Sequence, residues 1–105
     1  MATALEEHAA QLSALGHPAR LQILRFVVQG DPEGTAAGDI QSHVDIPAST
    51  LSHHLRRLTA ADLMSSRTEG TFIYYRANYG ALRKLTTYLW EDCCKRGKAK
   101  SKECC

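Results

Sequence analysis

The segment Ile46-Pro47-Ala48-Ser49-Thr50-Leu51-Ser52-His53-His54-Leu55-Arg56-Arg57-Leu58 constrains this chain more than any other. Leu51, Leu55 and Leu58 recur at i, i+4 and i+7, so an α-helix gathers them on one stripe that faces a core. Ser49, His53 and Arg56 then lie opposite the leucines, with Thr50, Ser52 and Arg57 on the flanks. Small residues at the start of such a helix let its backbone approach a groove floor. Hydroxyl, imidazole and guanidinium groups offer donors to base edges and phosphates. A solvated helix face has the same periodicity, so the neighbouring segments decide between the two.

Upstream, Leu5, Ala9 and Leu12 outline an amphipathic helix that ends near Leu15-Gly16, with Gly16 as its C-cap. Pro18 opens a second, largely buried helix through Leu21, Ile23-Leu24 and Val27-Val28. Gly30-Asp31-Pro32-Glu33-Gly34 is a loop. Thr35 is the expected N-cap of a short helix from Ala36 to about His43, and Asp45-Ile46-Pro47 is a tight turn into the leucine-striped helix. Two helices joined in this way outline a helix-turn-helix.

After Leu58 the period changes from helix to strand. Leu63–Thr68 and Thr71–Arg76, separated by Glu69-Gly70, read as a β-hairpin. A hairpin directly after a recognition helix is a wing, and Arg67 near its tip is expected to reach DNA phosphates or the minor groove. Asn78 caps a last helix whose Leu82, Leu85, Leu89, Trp90 and Cys93 follow helical spacing. Its long apolar stripe suits pairing with the first helix of a second copy, which places Leu5, Leu12, Leu85, Leu89 and Trp90 at a dimer interface. The same leucines and tryptophan could instead cover the chain's own core. The fold class is thus mainly α with a β-hairpin wing (α+β), a winged helix-turn-helix dimeric through its first and last helices. The expected organisation is one DNA-binding and dimerisation domain over residues 1–94 and a flexible basic tail over 95–105.

The formal charge of +2 comes from 13 basic and 11 acidic residues, and five of the basic ones fall within residues 95–105. Residues 1–94 are therefore slightly acidic, so DNA contact must come from a local patch built on Arg56, Arg57, Arg67 and Arg76. Neither a long apolar run nor the basic-then-apolar pattern of a signal peptide is found, which leads to the expectation of a cytoplasmic protein without membrane association. Nucleophile-base pairs, phosphate-cradling loops and carboxylate pairs at catalytic spacing are also missing, so no enzyme and no organic cofactor are expected.

In this order the motifs resemble the ArsR/SmtB family of bacterial winged-helix metalloregulatory repressors over roughly residues 5–92. Leu15-Gly16-His17-Pro18-Ala19-Arg20-Leu21-Gln22-Ile23-Leu24 is similar to the family's opening motif. Ser49 to Leu58 is similar to its recognition helix, and Glu69-Gly70 with Tyr74-Tyr75-Arg76 to its wing. The resemblance implies a homodimer on a palindromic double-stranded operator, released by an inducer. Two departures matter. Ala36-Ala37-Gly38-Asp39-Ile40 stands where arsenite sensors of one type carry a Cys-x-Cys motif, and the last helix lacks the Asp/His and His/Glu pairs of zinc sensors.

All four cysteines are C-terminal: Cys93-Cys94 at the end of the last helix and Cys104-Cys105 at the end of the chain. Thiolates select soft ions, and trivalent arsenic or antimony accepts up to three sulfurs, or two when monomethylated. Consecutive helical side chains diverge by about 100°, so Cys93 and Cys94 share one small ion only if the last turn unwinds or Cys104 or Cys105 folds back. Some arsenic-responsive family members carry a cysteine pair here with another downstream. The resemblance thus implies Cys93 and Cys94 as first ligands and Cys104 or Cys105 as third, with trivalent arsenic or antimony, methylarsenite included, as inducer. A redox or sulfane-sulfur sensor and a zinc or cadmium sensor are the alternatives.

Overall fold

The computed structural model describes residues 3–97. Among them the order is α1 (Ala4–Leu15), α2 (Pro18–Gln29), β1 (Thr35–Ala36), α3 (Ala37–Val44), α4 (Ala48–Ala60), β2 (Met64–Glu69), β3 (Phe72–Ala77) and α5 (Tyr79–Trp90). Local chemistry sets the ends. Thr3 and Glu6 form a reciprocal capping box at α1. His17 accepts the Ala19 N–H at the start of α2, where Pro18 removes one donor that would otherwise lack a partner. Asp45 closes α3 in the left-handed region at φ 51°, its N–H bonded to the Gln41 carbonyl. The chain thereby turns within three residues into α4, as the helix-turn-helix reading requires.

The leucine stripe behaves as its period dictates. Leu51, Leu55 and Leu58 are buried with Ile23, Leu24 and Val27 of α2, Ile40 of α3, and Leu63, Met64 and Ala77 at the base of the hairpin. Ala14 closes this core from α1. Asn78 fastens the last helix to it: its side-chain oxygen accepts the Ala81 N–H at 3.1 Å, and its amide donates to the Asp62 carbonyl at 3.0 Å.

Three expectations need correction. Thr35 does not cap α3. With Ala36 it forms a short strand paired antiparallel to Tyr75 and Tyr74, so the wing is a three-stranded sheet in the order β1-β3-β2. The cause is an edge: β3 would otherwise present unpaired N–H and C=O groups, and Thr35–Ala36 occupies them, leaving α3 with Ala36 as a cap that makes no side-chain hydrogen bond. Secondly, α5 stops at Trp90, before the cysteines, and the backbone turns through positive φ at Asp92 and Cys94. Thirdly, Leu85 is buried within its own chain rather than left for a second copy.

Candidate nucleic-acid interface and cysteine turn

The fold turns one face of α4 outward. Ser49, Thr50, Ser52, His53, Arg56 and Arg57 are all exposed, while Leu51, His54, Leu55 and Leu58 face inward. Pro47 precedes the helix without any side-chain cap, so the first-turn N–H groups beside Ser49 and Thr50 remain oriented outward with the positive end of the helix dipole. A cleft between α4 and the wing is lined by Arg56 and Thr59 on one side and Ser66 and Tyr75 on the other. Arg76 is exposed on β3, opposite Ser65.

Arg67 has a different environment from the one expected. Its Nε donates to the Glu69 carboxylate at 2.9 Å, its Nη1 donates to the Glu33 carbonyl, and its guanidinium lies 4.9 Å from the Tyr74 ring centroid. The hydrogen bond and charge of Glu69 hold its pKa above the ordinary arginine value. Arg67 therefore ties the wing to the loop after α2. Gly34 permits this closeness: it sits at φ 140°, and a Cβ there would come within 2.9 Å of Arg67 Nη1 and 3.2 Å of Tyr74 Cβ. Glu33 is 34 positions away in the chain, so only the folded structure reveals the contact.

A buried polar group that the sequence reading did not place among the site residues lies behind the recognition helix. His54 falls at i+3 from Leu51 and i−4 from Leu58, on the core stripe, and that spacing was the available signal. Arg20 reaches it from α2, with Nη1 3.2 Å from His54 Nδ1, and also donates through Nε to the Ala14 carbonyl at 2.6 Å.

At the far end, Cys93 and Cys94 lie in a turn whose N–H groups bond back to Trp90, Asp92 and Cys94 carbonyls in succession. Their Sγ atoms are 3.7 Å apart. Both cysteines are disulfide-bonded in this structure. Cys104 and Cys105 lie outside the described residues. Among the described residues no group of three or more His, Cys, Asp or Glu side chains is disposed to hold a metal ion. No helix among them is long and apolar enough to cross a membrane.

The order of elements, the outward face of α4 and the wing beside it can now be set against known proteins. A family model described as a helix-turn-helix domain matches residues 15–67. The transcriptional repressor SdpR of Bacillus subtilis (strain 168) is 39% identical over 76 residues, covering 72% of this chain and 81% of that protein. The arsenical resistance operon repressor of the same organism is 30% identical over 101 residues, 96% of this chain and 92% of the repressor. The chain belongs to the ArsR/SmtB family. Two further relatives are longer, and the chain spans 58% and 53% of them. Among solved structures, the homodimeric winged helix-turn-helix DNA-binding domain (fragment 1-100) Mb0332 from Mycobacterium bovis superposes with a TM-score of 0.66 at 27% identity. The match covers 92% of this chain and 90% of that one. As an ArsR/SmtB winged-helix regulator, the chain is a DNA-binding protein. On the single chain, Leu5, Leu12, Leu89 and Trp90 remain exposed on α1 and α5, Leu89 at 60% and Trp90 at 63%.

Proposed function

We propose that this regulator is a homodimeric transcriptional repressor that grips a two-fold operator with paired α4 helices and releases it when trivalent arsenic or antimony binds its C-terminal cysteines. Ser49, Thr50, Ser52, His53, Arg56 and Arg57 would face the DNA, and Leu5, Leu12, Leu89 and Trp90 would pack across the dimer axis. The observation that carries the inducer assignment is the turn after α5. The turn brings the Cys93 and Cys94 sulfurs to 3.7 Å, close enough for one soft ion held by two or three thiolates to bridge them once both are reduced. In the reduced protein, each As–O bond of arsenite exchanges for an As–S bond, the thiol proton leaving with the hydroxyl as water. Cys104 or Cys105 would supply a third sulfur. The similarity to an arsenical resistance operon repressor over 96% of the chain supports this reading.

Ligation next to Trp90 would reset the end of α5 and with it the spacing of the two recognition helices, a coupling typically of about 1–3 kcal/mol. The test is fluorescence anisotropy, under reductant, on a duplex selected by the protein from a random library. Arsenite, methylarsenite, zinc and cadmium are titrated into the native chain, a chain ending at Lys102 and the Cys93→Ser/Cys94→Ser variant. Arsenicals are expected to release the native chain and to leave the double variant bound. Release of that variant by arsenite at native concentrations would overturn the assignment.

The disulfide-bonded state of Cys93 and Cys94 favours a second reading, a thiol-redox or sulfane-sulfur sensor. Release by oxidant or persulfide, reversed by reductant and indifferent to arsenite, is its signature.

A further inference from the structure

Behind the DNA-facing side of α4, a buried cationic residue and a buried imidazole meet with no acid between them. Arg20 is 9% exposed and His54 5%. The guanidinium anchors to the Ala14 carbonyl through Nε and points Nη1 at His54 Nδ1, 3.2 Å away. Arginine has only donors and stays protonated, so this contact is a hydrogen bond only when Nδ1 carries no proton. The ring proton then sits on Nε2. We infer that His54 is a positioning residue that docks the recognition helix onto α2 only as neutral imidazole, so that mild acidification loosens α4 and weakens DNA binding.

Among the described residues, the charges acting on His54 all oppose a proton there. His17, at the N-cap of α2, has its ring centroid 4.7 Å away, and His53 of α4 has its own at 5.9 Å. α1 contributes the Ala14 carbonyl, which Arg20 already uses. Neither ion pair found among the described residues, Arg67–Glu69 and Lys95–Asp92, reaches this cluster. Burial first, then the charges of His17, Arg20 and His53, hold the His54 pKa below its ordinary value. The sign follows. A histidine with a depressed pKa in the docked state contributes fully above about 6.5, and its contribution falls as pH drops below that toward the docked-state pKa. His17 accepts the Ala19 N–H through its own Nδ1, so it needs a separate control.

The experiment compares DNA dissociation constants from pH 8.0 to 5.5 for the native chain, His54→Asn and His17→Asn. The probe is a duplex selected by the native chain at pH 7.5. Asparagine offers a non-titrating acceptor in place of Nδ1 in the first variant and a non-titrating cap in the second. One proton coupled to release weakens binding by at most about tenfold per pH unit. The native chain and His17→Asn are expected to lose affinity below pH 6.5 relative to His54→Asn. Superimposable profiles for native and His54→Asn proteins would overturn the inference. Nitrogen-15 NMR of histidine-labelled native protein at pH 7.5 tests it without any variant: the Nε2–H tautomer is expected for His54, and a proton on Nδ1 would exclude the hydrogen bond from Arg20.

Discussion

At the scale of single residues, two of the four arginines expected to contact DNA have separate environments. Arg56 is exposed on α4 at the mouth of the cleft to the wing, whereas Arg67 is tied to Glu69, the Glu33 carbonyl and the Tyr74 face. Arg56→Ala is therefore expected to weaken operator binding by about 1–3 kcal/mol and to relax sequence preference where it reads a base. Arg67→Ala is expected to act less directly, through a looser wing. Anisotropy titrations on matched and mutated duplexes measure both. Equal losses for the two variants would mean that Arg67 leaves Glu69 and Glu33 when DNA is bound. Sequence could not separate them, because a side chain's partners across the fold leave no trace in local periodicity.

At the scale of elements, the joints are small polar residues. Asn78 caps α5 and at the same time holds the turn between α4 and β2 through Asp62. Asn78→Ala removes both bonds and is expected to cost about 1–2 kcal/mol. Asn78→Asp keeps the cap acceptor, loses the donor to Asp62, and should fall between. Thermal unfolding followed by circular dichroism reads both, at roughly 4–8 °C per kcal/mol for a domain this size. A melt unchanged in the alanine variant would show the cap to be dispensable. The wing and the cap of α5 were legible in sequence, from the aromatic and β-branched run of Thr71–Tyr75 and from Asn78 before a helical period. β1 was not, since two residues carry no period and Thr35–Ala36 becomes a strand only because β3 has an edge to pair.

At the scale of the whole molecule, α1 is clasped between the last helix and the recognition helix. His8 rests against the Tyr88 ring at 4.5 Å and bonds Gln11, whose amide reaches the Ala61 carbonyl at the end of α4. Leu5, Leu12, Leu89 and Trp90 are left on the outside. Trp90→Asp should leave the monomer folded, because the indole is 63% exposed there, and should shift sedimentation equilibrium from dimer to monomer. It should also reduce operator affinity steeply, since two half-sites would no longer be bound as one unit. A Trp90→Asp protein that remains dimeric would move the interface elsewhere.

Periodicity and capping residues by themselves determined the five helices, the hairpin and the outward face of α4, because those depend on spacings of a few positions. The ArsR/SmtB motifs were equally local. Tertiary structure alone decided that Leu85 is buried in its own chain, that Arg67 is tied to Glu33, that α5 ends before its cysteines and that Arg20 meets His54 behind the recognition helix. Each of these depends on which groups remain unpaired or unburied once the helices have packed. That competition takes place between residues as much as 34 positions apart.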